Sequence, residues 1–340
     1  MENLESVYII AEIGVNHDGN MDIARKMIDI AKKSGVNAVK FQNFKADLLC
    51  TKDLDKEEYQ KEACGDDGNQ YEMLNKLEIS EEDTVNLKKY TEGMGLDFIS
   101  TPYDRESVDI LERVGVKRYK IGSGEISDLP FLEYIVKSRK PIILSTGAST
   151  LQEVKEAVQL IKLYCNDLTL LHCTSCYPTS FTDVNLNVMI TLMNNFGLPV
   201  GYSDHTEGVS VAAASVALGA KVIEKHFTLD KGCPGPDHKA SVNPEELLLL
   251  VRTIREVEMA MGGFHKKPCD SEQETISLGR RSIISFKNIS KGHIITENDL
   301  IIKRPGYGIQ PGQLQTIIGK RAKHDISKDI LLSYDDLEEH

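Results

Sequence analysis

Ala11-Glu12-Ile13-Gly14-Val15-Asn16-His17 ends a short apolar run on reactive polar residues. The same ending recurs at Val39-Lys40-Phe41-Gln42, Tyr119-Lys120-Ile121-Gly122-Ser123-Gly124-Glu125, Gly201-Tyr202-Ser203-Asp204-His205 and Ile223-Glu224-Lys225-His226-Phe227. In a barrel of parallel strands the C-terminal strand ends and the loops after them face one shared mouth, so residues far apart in sequence converge. Here that geometry would gather two lysines, two histidines and a carboxylate.

Working outward, strand-like runs fall at 7–13, 38–41, 97–100, 118–121, 141–144, 168–172, 198–202 and 221–227, and helical patterns fill most of the gaps. In 21–34, Ile23, Met27, Ile30 and Ala31 recur at spacings of three and four, and Gly35 follows as a C-cap would. Similar patterns run over 82–94, 106–114, 151–163, 184–194, 209–218 and 244–261. Strands that are apolar on both faces and alternate with helices predict a (β/α)8 TIM barrel over residues 1–262. An open doubly wound sheet is the competitor, and no Gly-x-Gly-x-x-Gly turn follows the first strand to support it. The insert 45–75 predicts a lid-like excursion after the second strand. Gly262-Gly263-Phe264-His265-Lys266-Lys267-Pro268 breaks the last helix, so 263–279 reads as a linker and 280–340 as a small β-rich module.

The chain of 340 residues is 41% hydrophobic and 27% charged, ordinary for a globular protein. No apolar run approaches a membrane span of roughly 18 residues, and the acidic start, Met1-Glu2-Asn3-Leu4-Glu5, does not read as an export signal. Seven cysteines, odd in number and irregularly spaced, predict reduced thiols in a cytoplasm. A net charge of -12 argues against nucleic-acid partners, which need clustered Lys and Arg, and leaves room for a small anion held by a few local lysines.

His205 and His226 close the seventh and eighth strands, neighbours in a barrel, so two neutral imidazoles can share one divalent metal with positions left open for water and substrate. The alternative for each is an imidazole that bonds a backbone carbonyl. Lys40 and Lys120 end apolar strands at a barrel mouth, where an amine has little surface to escape to. Thr101, Ser123, Ser145 and Ser203, with Gly122, Gly124 and Gly147, would complete a phosphate or carboxylate site, although each hydroxyl alone is more often a simple turn or cap residue. Glu12 lies inside a strand, where burial demands a metal, a bound water or a lysine as partner, and this makes it a candidate acid/base group. Glu125 and Asp237 read as acceptors for sugar hydroxyls or as ordinary loop carboxylates. Cys173-Thr174-Ser175-Cys176 has redox spacing in the wrong fold context and takes no role, and His17 reads as either a ligand or a turn residue.

Together these motifs, with Asp18-Gly19, Ser100-Thr101-Pro102, Leu144-Ser145-Thr146-Gly147, His172-Cys173-Thr174, Tyr177-Pro178, Gly235-Pro236-Asp237-His238 and Lys303-Arg304-Pro305-Gly306, resemble the sialic acid synthase family along almost the whole chain. The resemblance implies a TIM barrel with a C-terminal antifreeze-like (SAF-type) domain, in a domain-swapped homodimer. It implies a transferase condensing phosphoenolpyruvate with an N-acetylated amino sugar: N-acetylmannosamine in an N-acetylneuraminate synthase, or 2,4-diacetamido-2,4,6-trideoxymannose in a legionaminate synthase. On that resemblance His205 and His226 hold Mn2+, with Mg2+ or Co2+ as substitutes, and Glu12 joins them in catalysis. Lys40, Thr101, Lys120, Ser123, Ser145, Ser175 and Ser203 bind phosphoenolpyruvate. Gln42, Glu125, Tyr177 and Asp237 surround the sugar, and Arg304 reaches its acetamido end from the other subunit. Ser175 stands where many neuraminate-forming members carry Asn. Rival readings are a non-catalytic carbohydrate- or ice-binding protein, which leaves the buried lysines unexplained, and a metal-dependent aldolase using pyruvate, for which a two-lysine anion site is excessive.

Overall fold

The computed structural model describes residues 6–64 and 68–338; the sequence readings of 1–5, of 65–67 within the insert and of 339–340 lie outside them. The chain divides between Gly262 and Gly263 into two compact units.

In the first unit eight strands, β1 (Tyr8–Gly14), β2 (Ala38–Asn43), β3 (Asp97–Pro102), β4 (Tyr119–Ile121), β5 (Ile142–Ser145), β6 (Leu168–Cys173), β7 (Val200–Asp204) and β8 (Val222–His226), form one parallel sheet. Its order is β3-β2-β1-β8-β7-β6-β5-β4, and the end strands β3 and β4 lie side by side, which nearly closes the barrel. Inside, Ile10, Ala38, Ile99, Ile143, Leu171 and Val222 make a buried apolar plug. Outside, the larger core packs strand residues such as Ile9, Val39 and Phe41 against helix residues such as Met27, Ile28 and Leu250.

The helices follow their sequence signals. Met21–Ser34 starts where Asn20 accepts hydrogen bonds from the Asp22 and Ile23 amides and ends at Gly35, whose φ of 84° suits glycine. Met27 and Ala31 are fully buried on its inner face, with Ile23 and Ile30 packed at the margin. Pro244–Met261 opens with a capping box between Asn243 and Glu246. Leu129–Val136, capped by Asp128, carried no periodic signal because its run LPFLEYIV is apolar almost throughout. Among its described residues the insert after β2 carries three short helices, Ala46–Leu49, Glu58–Cys64 and Gln70–Leu77. Its ends are drawn together by Glu78, which accepts hydrogen bonds from the Ala46 amide at 2.7 Å and Lys45 Nζ at 3.0 Å.

A buried ion pair staples β7 to β8. Lys225 Nζ donates to Asp204 Oδ2 and to the Thr206 carbonyl, each at 2.7 Å. Because side chains alternate along a strand, this pair on one face leaves Ser203, His205, Glu224 and His226 for the other.

The second unit pairs Ser282–Ser285 with Leu300–Lys303 and Arg321–Ala322 with Leu337–Glu338, both antiparallel, around Ile283, Ile295, Ile317 and Leu332. Its segment 263–279 carries two short helical turns, Asp270–Glu272 and Thr275–Gly279.

Gly201 marks the closest approach in the barrel wall: a Cβ there would fall 2.3 Å from the Val222 carbonyl oxygen and 2.7 Å from Leu171 Cδ2. Gly201→Ala should therefore cost about 1–3 kcal/mol, read as a lower urea midpoint at an unchanged m-value. A native midpoint would contradict this packing.

Candidate active site

The strand ends surround a cavity of about 390 Å³. Strand periodicity places its residues two apart: Lys40 and Gln42 on β2, Ser203 and His205 at β7, Glu224 and His226 on β8. Register then brings neighbouring strands level, with Glu12 opposite both Lys40 and His226, and Ser203 opposite Glu224.

The floor is a buried network of charge. Lys40 Nζ lies 2.9 Å from Glu12 Oε1 and 3.7 Å from Glu224 Oε2, while Lys120 Nζ lies 3.3 Å from Glu224 Oε1. Lys40 donates to Thr101 Oγ1 at 3.2 Å, Lys120 to Ser145 Oγ at 2.8 Å, Gln42 Nε2 to Glu12 Oε1 at 2.9 Å and Ser203 Oγ to Glu224 Oε1 at 3.0 Å. Burial pushes the Glu12 carboxyl up to about 7 against the pull of Lys40. Burial also favours neutral Glu224, but Lys120 and Lys40 together outweigh it and hold that carboxyl down at about 2. Burial lowers Lys120, whereas for Lys40 the two carboxylates reverse that effect and the amine titrates higher than usual.

His205 and His226 share this cavity, with ring centroids 5.4 Å apart. His205 Nδ1 lies 2.8 Å from the Thr174 carbonyl. A carbonyl only accepts, so Nδ1 carries a proton and Nε2 is the nitrogen left to bind an ion once it is deprotonated. Burial alone would lower this imidazole, but Cys173 and the Thr174 carbonyl outweigh it and raise it above the usual histidine value. Burial, with His205 and Lys40 nearby, holds His226 well below the usual histidine range and therefore neutral. Its Nδ1 is buried without a hydrogen bond, 3.5 Å from Asp237 Oδ2. These two imidazoles fit a divalent ion. Among the described residues no group of three or more His, Cys, Asp or Glu is arranged to hold one, so water and substrate oxygens would complete its coordination. Above them Tyr177 lies against His205 at 4.2 Å, and Tyr59 from the insert stacks on Tyr177 at 5.4 Å.

Ser123, Ser145, Ser175, Glu125 and Asp237 also line the cavity. Glu125 has a buried, unpartnered Oε2, and burial raises its carboxyl, as it raises Asp237 to about 6. Thr101 is fully buried and reaches the site through Lys40, while Arg304 belongs to the second unit. The Gly147 amide donates to Ser123 Oγ at 2.9 Å instead of facing the opening. His17 stabilises a turn, its Nδ1 accepting from the Gly19 amide at 3.0 Å. Two groups went without a role in the sequence reading. Glu224 was signalled by its place two residues before His226 on one strand face. Cys173 lines the cavity with Sγ 3.8 Å from His205 Nδ1, whereas Cys176 is exposed.

A (β/α)8 barrel whose mouth holds paired lysines beside paired imidazoles defines a class of enzyme built for small anionic substrates. The NeuB family model matches residues 27–266 and the SAF domain model residues 280–338, and the chain belongs to the NeuB family. It is 47% identical to the N,N'-diacetyllegionaminic acid synthase of Legionella pneumophila, over 97% of this chain and 94% of that protein. It is 44% identical to the protein of the same name from Campylobacter jejuni, over 97% and 99%. The crystal structure of N-acetylneuraminic acid (sialic acid) synthetase from Leptospira borgpetersenii, in complex with citrate, superposes with a TM-score of 0.70 at 32% identity, covering 81% of this chain and 94% of that one. The relatives are sugar-acid synthases, so the chain sits in a family of condensing enzymes.

Gly147 gives a direct probe of the expectation that these serines bind an anion, because a Cβ there would fall 2.4 Å from Ser175 Oγ and 2.8 Å from Ser123 Oγ. Gly147→Ala should weaken binding of inorganic phosphate about tenfold, the worth of one hydrogen bond to a charged group, as measured by calorimetric titration. Unchanged affinity would place those hydroxyls outside the anion site.

Proposed function

We propose that the chain condenses phosphoenolpyruvate with open-chain 2,4-diacetamido-2,4,6-trideoxymannose and water, giving N,N'-diacetyllegionaminate and phosphate. The observation that carries the reaction class is the floor of the cavity, where Lys40 and Lys120 lie fully buried beside Glu12 and Glu224 and level with two imidazoles. Burying four charges is costly unless function uses them, and a protein that only bound carbohydrate would have no need of them.

In this reading the phosphate and carboxylate of phosphoenolpyruvate take over the two ammonium groups, which Thr101 and Ser145 orient, with Ser123, Ser175 and Ser203 as further donors. C3 of phosphoenolpyruvate bonds to the sugar's aldehyde carbon, and the aldehyde oxygen takes up a proton. Water adds at C2, the C2–O bond breaks, and its electron pair leaves with phosphate. Glu12, titrating near neutrality beside Lys40, is a group able to exchange a proton here. His205 and His226 would hold the divalent ion, Mn2+ by family likeness, which when bound polarises the aldehyde as a Lewis acid. The residues' own main contribution is alignment of two substrates, worth up to roughly 7 to 11 kcal/mol.

The choice of sugar rests on two supports. Relatives carrying the legionaminic name stand at 47% and 44% identity. The insert also lines the cavity with Leu49, Leu54, Met73 and Leu74, an apolar wall suited to a 6-deoxy methyl and a second acetamido methyl. Gln42, Glu125, Tyr177 and Asp237 supply the polar contacts. Arg304 is assigned to the sugar's acetamido group across a domain-swapped homodimer. Seven free cysteines support a reducing cytoplasm, and among the described residues no helix is long and apolar enough to cross a membrane.

Phosphate release with Mn2+, phosphoenolpyruvate and each sugar in turn tests the reading. The diacetamido sugar should exceed N-acetylmannosamine by about 10- to 200-fold in kcat/KM, the range that small substituents command. The reverse order would make the enzyme an N-acetylneuraminate synthase, and no phosphate with any sugar would end the condensation reading. His226→Ala should abolish turnover and lower bound metal measured by mass spectrometry; full activity without metal would remove its assigned role.

A further inference from the structure

Two residues of the sequence motifs, Asp18 and His238, take no part in the reaction described above, yet they meet across the barrel mouth. We propose that they are positioning residues for Asp237, clasping the loop after β8 to the loop after β1. The inference rests on the reading that Asp237 serves the sugar.

His238 is buried with both ring nitrogens engaged: Nε2 lies 3.0 Å from Asp18 Oδ1 and Nδ1 lies 2.6 Å from Thr228 Oγ1. Neither Asp18 nor His238 lines the cavity, but Asp237, next in the chain, does. A second tether holds Asp237 itself. Ser241 Oγ donates to the Asp237 carbonyl at 2.6 Å, and Asn16 Nδ2 donates to Ser241 Oγ and to the Phe227 carbonyl, each at 2.9 Å. Asn16 and Asp18, two residues apart on one loop, thus fix Asp237 and His238, adjacent on the other.

The geometry is tight on both sides. Asp18 sits at φ 53°, a conformation costly for most side chains and tolerated by Asp, so the backbone sets the direction in which its side chain leaves the loop, and the partly exposed carboxylate is held by His238. Gly235 leaves room for the imidazole, since a Cβ there would fall 2.7 Å from His238 Cδ2. Gly19 does the same towards the insert, where a Cβ would fall 2.7 Å from the Lys76 carbonyl oxygen. The β1 loop is therefore confined by the insert as well as by the β8 loop, and a carboxylate hung from it can hold Asp237 to within the few tenths of an ångström that its place 3.5 Å from His226 requires.

The test is a double-mutant cycle on the full chain. Asp18→Gly removes the carboxylate while accepting the left-handed backbone, and His238→Gln is an independent variant should the first not fold. Each is made alone and with Asp237→Asn, and phosphate release is followed with phosphoenolpyruvate and sugar varied separately, alongside thermal melting and calorimetric sugar binding. Each single variant should lower kcat/KM for the sugar about 10- to 100-fold and weaken sugar binding, with KM for phosphoenolpyruvate within about twofold of native. In the Asp237→Asn background the same changes should cost less than about twofold, since the group they hold has lost its charge. Equal losses in both backgrounds, or native sugar kinetics in both folded single variants, would overturn the clasp. Native kinetics in Asp237→Asn alone would overturn the sugar role of Asp237, and the clasp with it, while leaving the condensation intact.

Discussion

The site depends on four charged side chains buried together at the top of the barrel interior. None of Lys40, Lys120, Glu12 and Glu224 could stand there alone, because an uncompensated charge out of water is among the most expensive features a fold can carry. Each has an oppositely charged partner on another strand, so β1, β2, β4 and β8 must hold register to within a hydrogen-bond length, while Glu12 Oε2 and Glu224 Oε2 stay buried without a hydrogen bond. The apolar plug beneath, from Ile10 to Val222, excludes water from below and leaves the charges facing only the cavity. The outward Asp204–Lys225 pair keeps β7 and β8 from sliding, and with them the two histidines.

Two glutamates of the same chemistry end in opposite states for one reason. Glu224 touches both lysines and remains ionised, a fixed counter-charge that makes two neighbouring amines tolerable before substrate arrives. Glu12 has Lys40 alone among the lysines within ion-pair reach, and burial outweighs that attraction, leaving a proton exchangeable near neutral pH. A pair of carboxyls driven apart by their surroundings is the arrangement from which one group can work as acid or base while the other only organises charge.

The insert shows how much of a site can be built from residues with no catalytic signature. Its helices carry Met73 and Leu77 into a small core with Val15 and Phe44, and they bring Tyr59 onto Tyr177, which in turn lies on His205. A stack of rings thus runs from a surface excursion to an imidazole of the site. Lys45–Glu78 and Ala46–Glu78 contacts close the insert at its base, so its wall belongs to the barrel rather than drifting from it.

Short apolar runs ending in Lys40, Lys120, His205 and His226 made the barrel and the contents of its mouth legible from the chain, because a strand buried on both faces keeps polar residues only where they have work to do. Helix bounds such as those of Met21–Ser34 were equally plain, through Asn20 and Gly35. Leu129–Val136 was hidden because a run apolar almost throughout carries no period, although only Phe131, Leu132, Ile135 and Val136 are buried. Glu224 shares a strand face with His226, but that it meets two lysines, and that Cys173 meets His205, no single strand announces. Which lysine faces which glutamate, that Gly147 turns its amide to Ser123, and that Asp18 reaches His238 were decided only in three dimensions. Pattern along a chain reports burial and period, whereas the pairing of charges depends on strand register and loop path, which arise from contacts between segments as distant as Glu12 and Glu224.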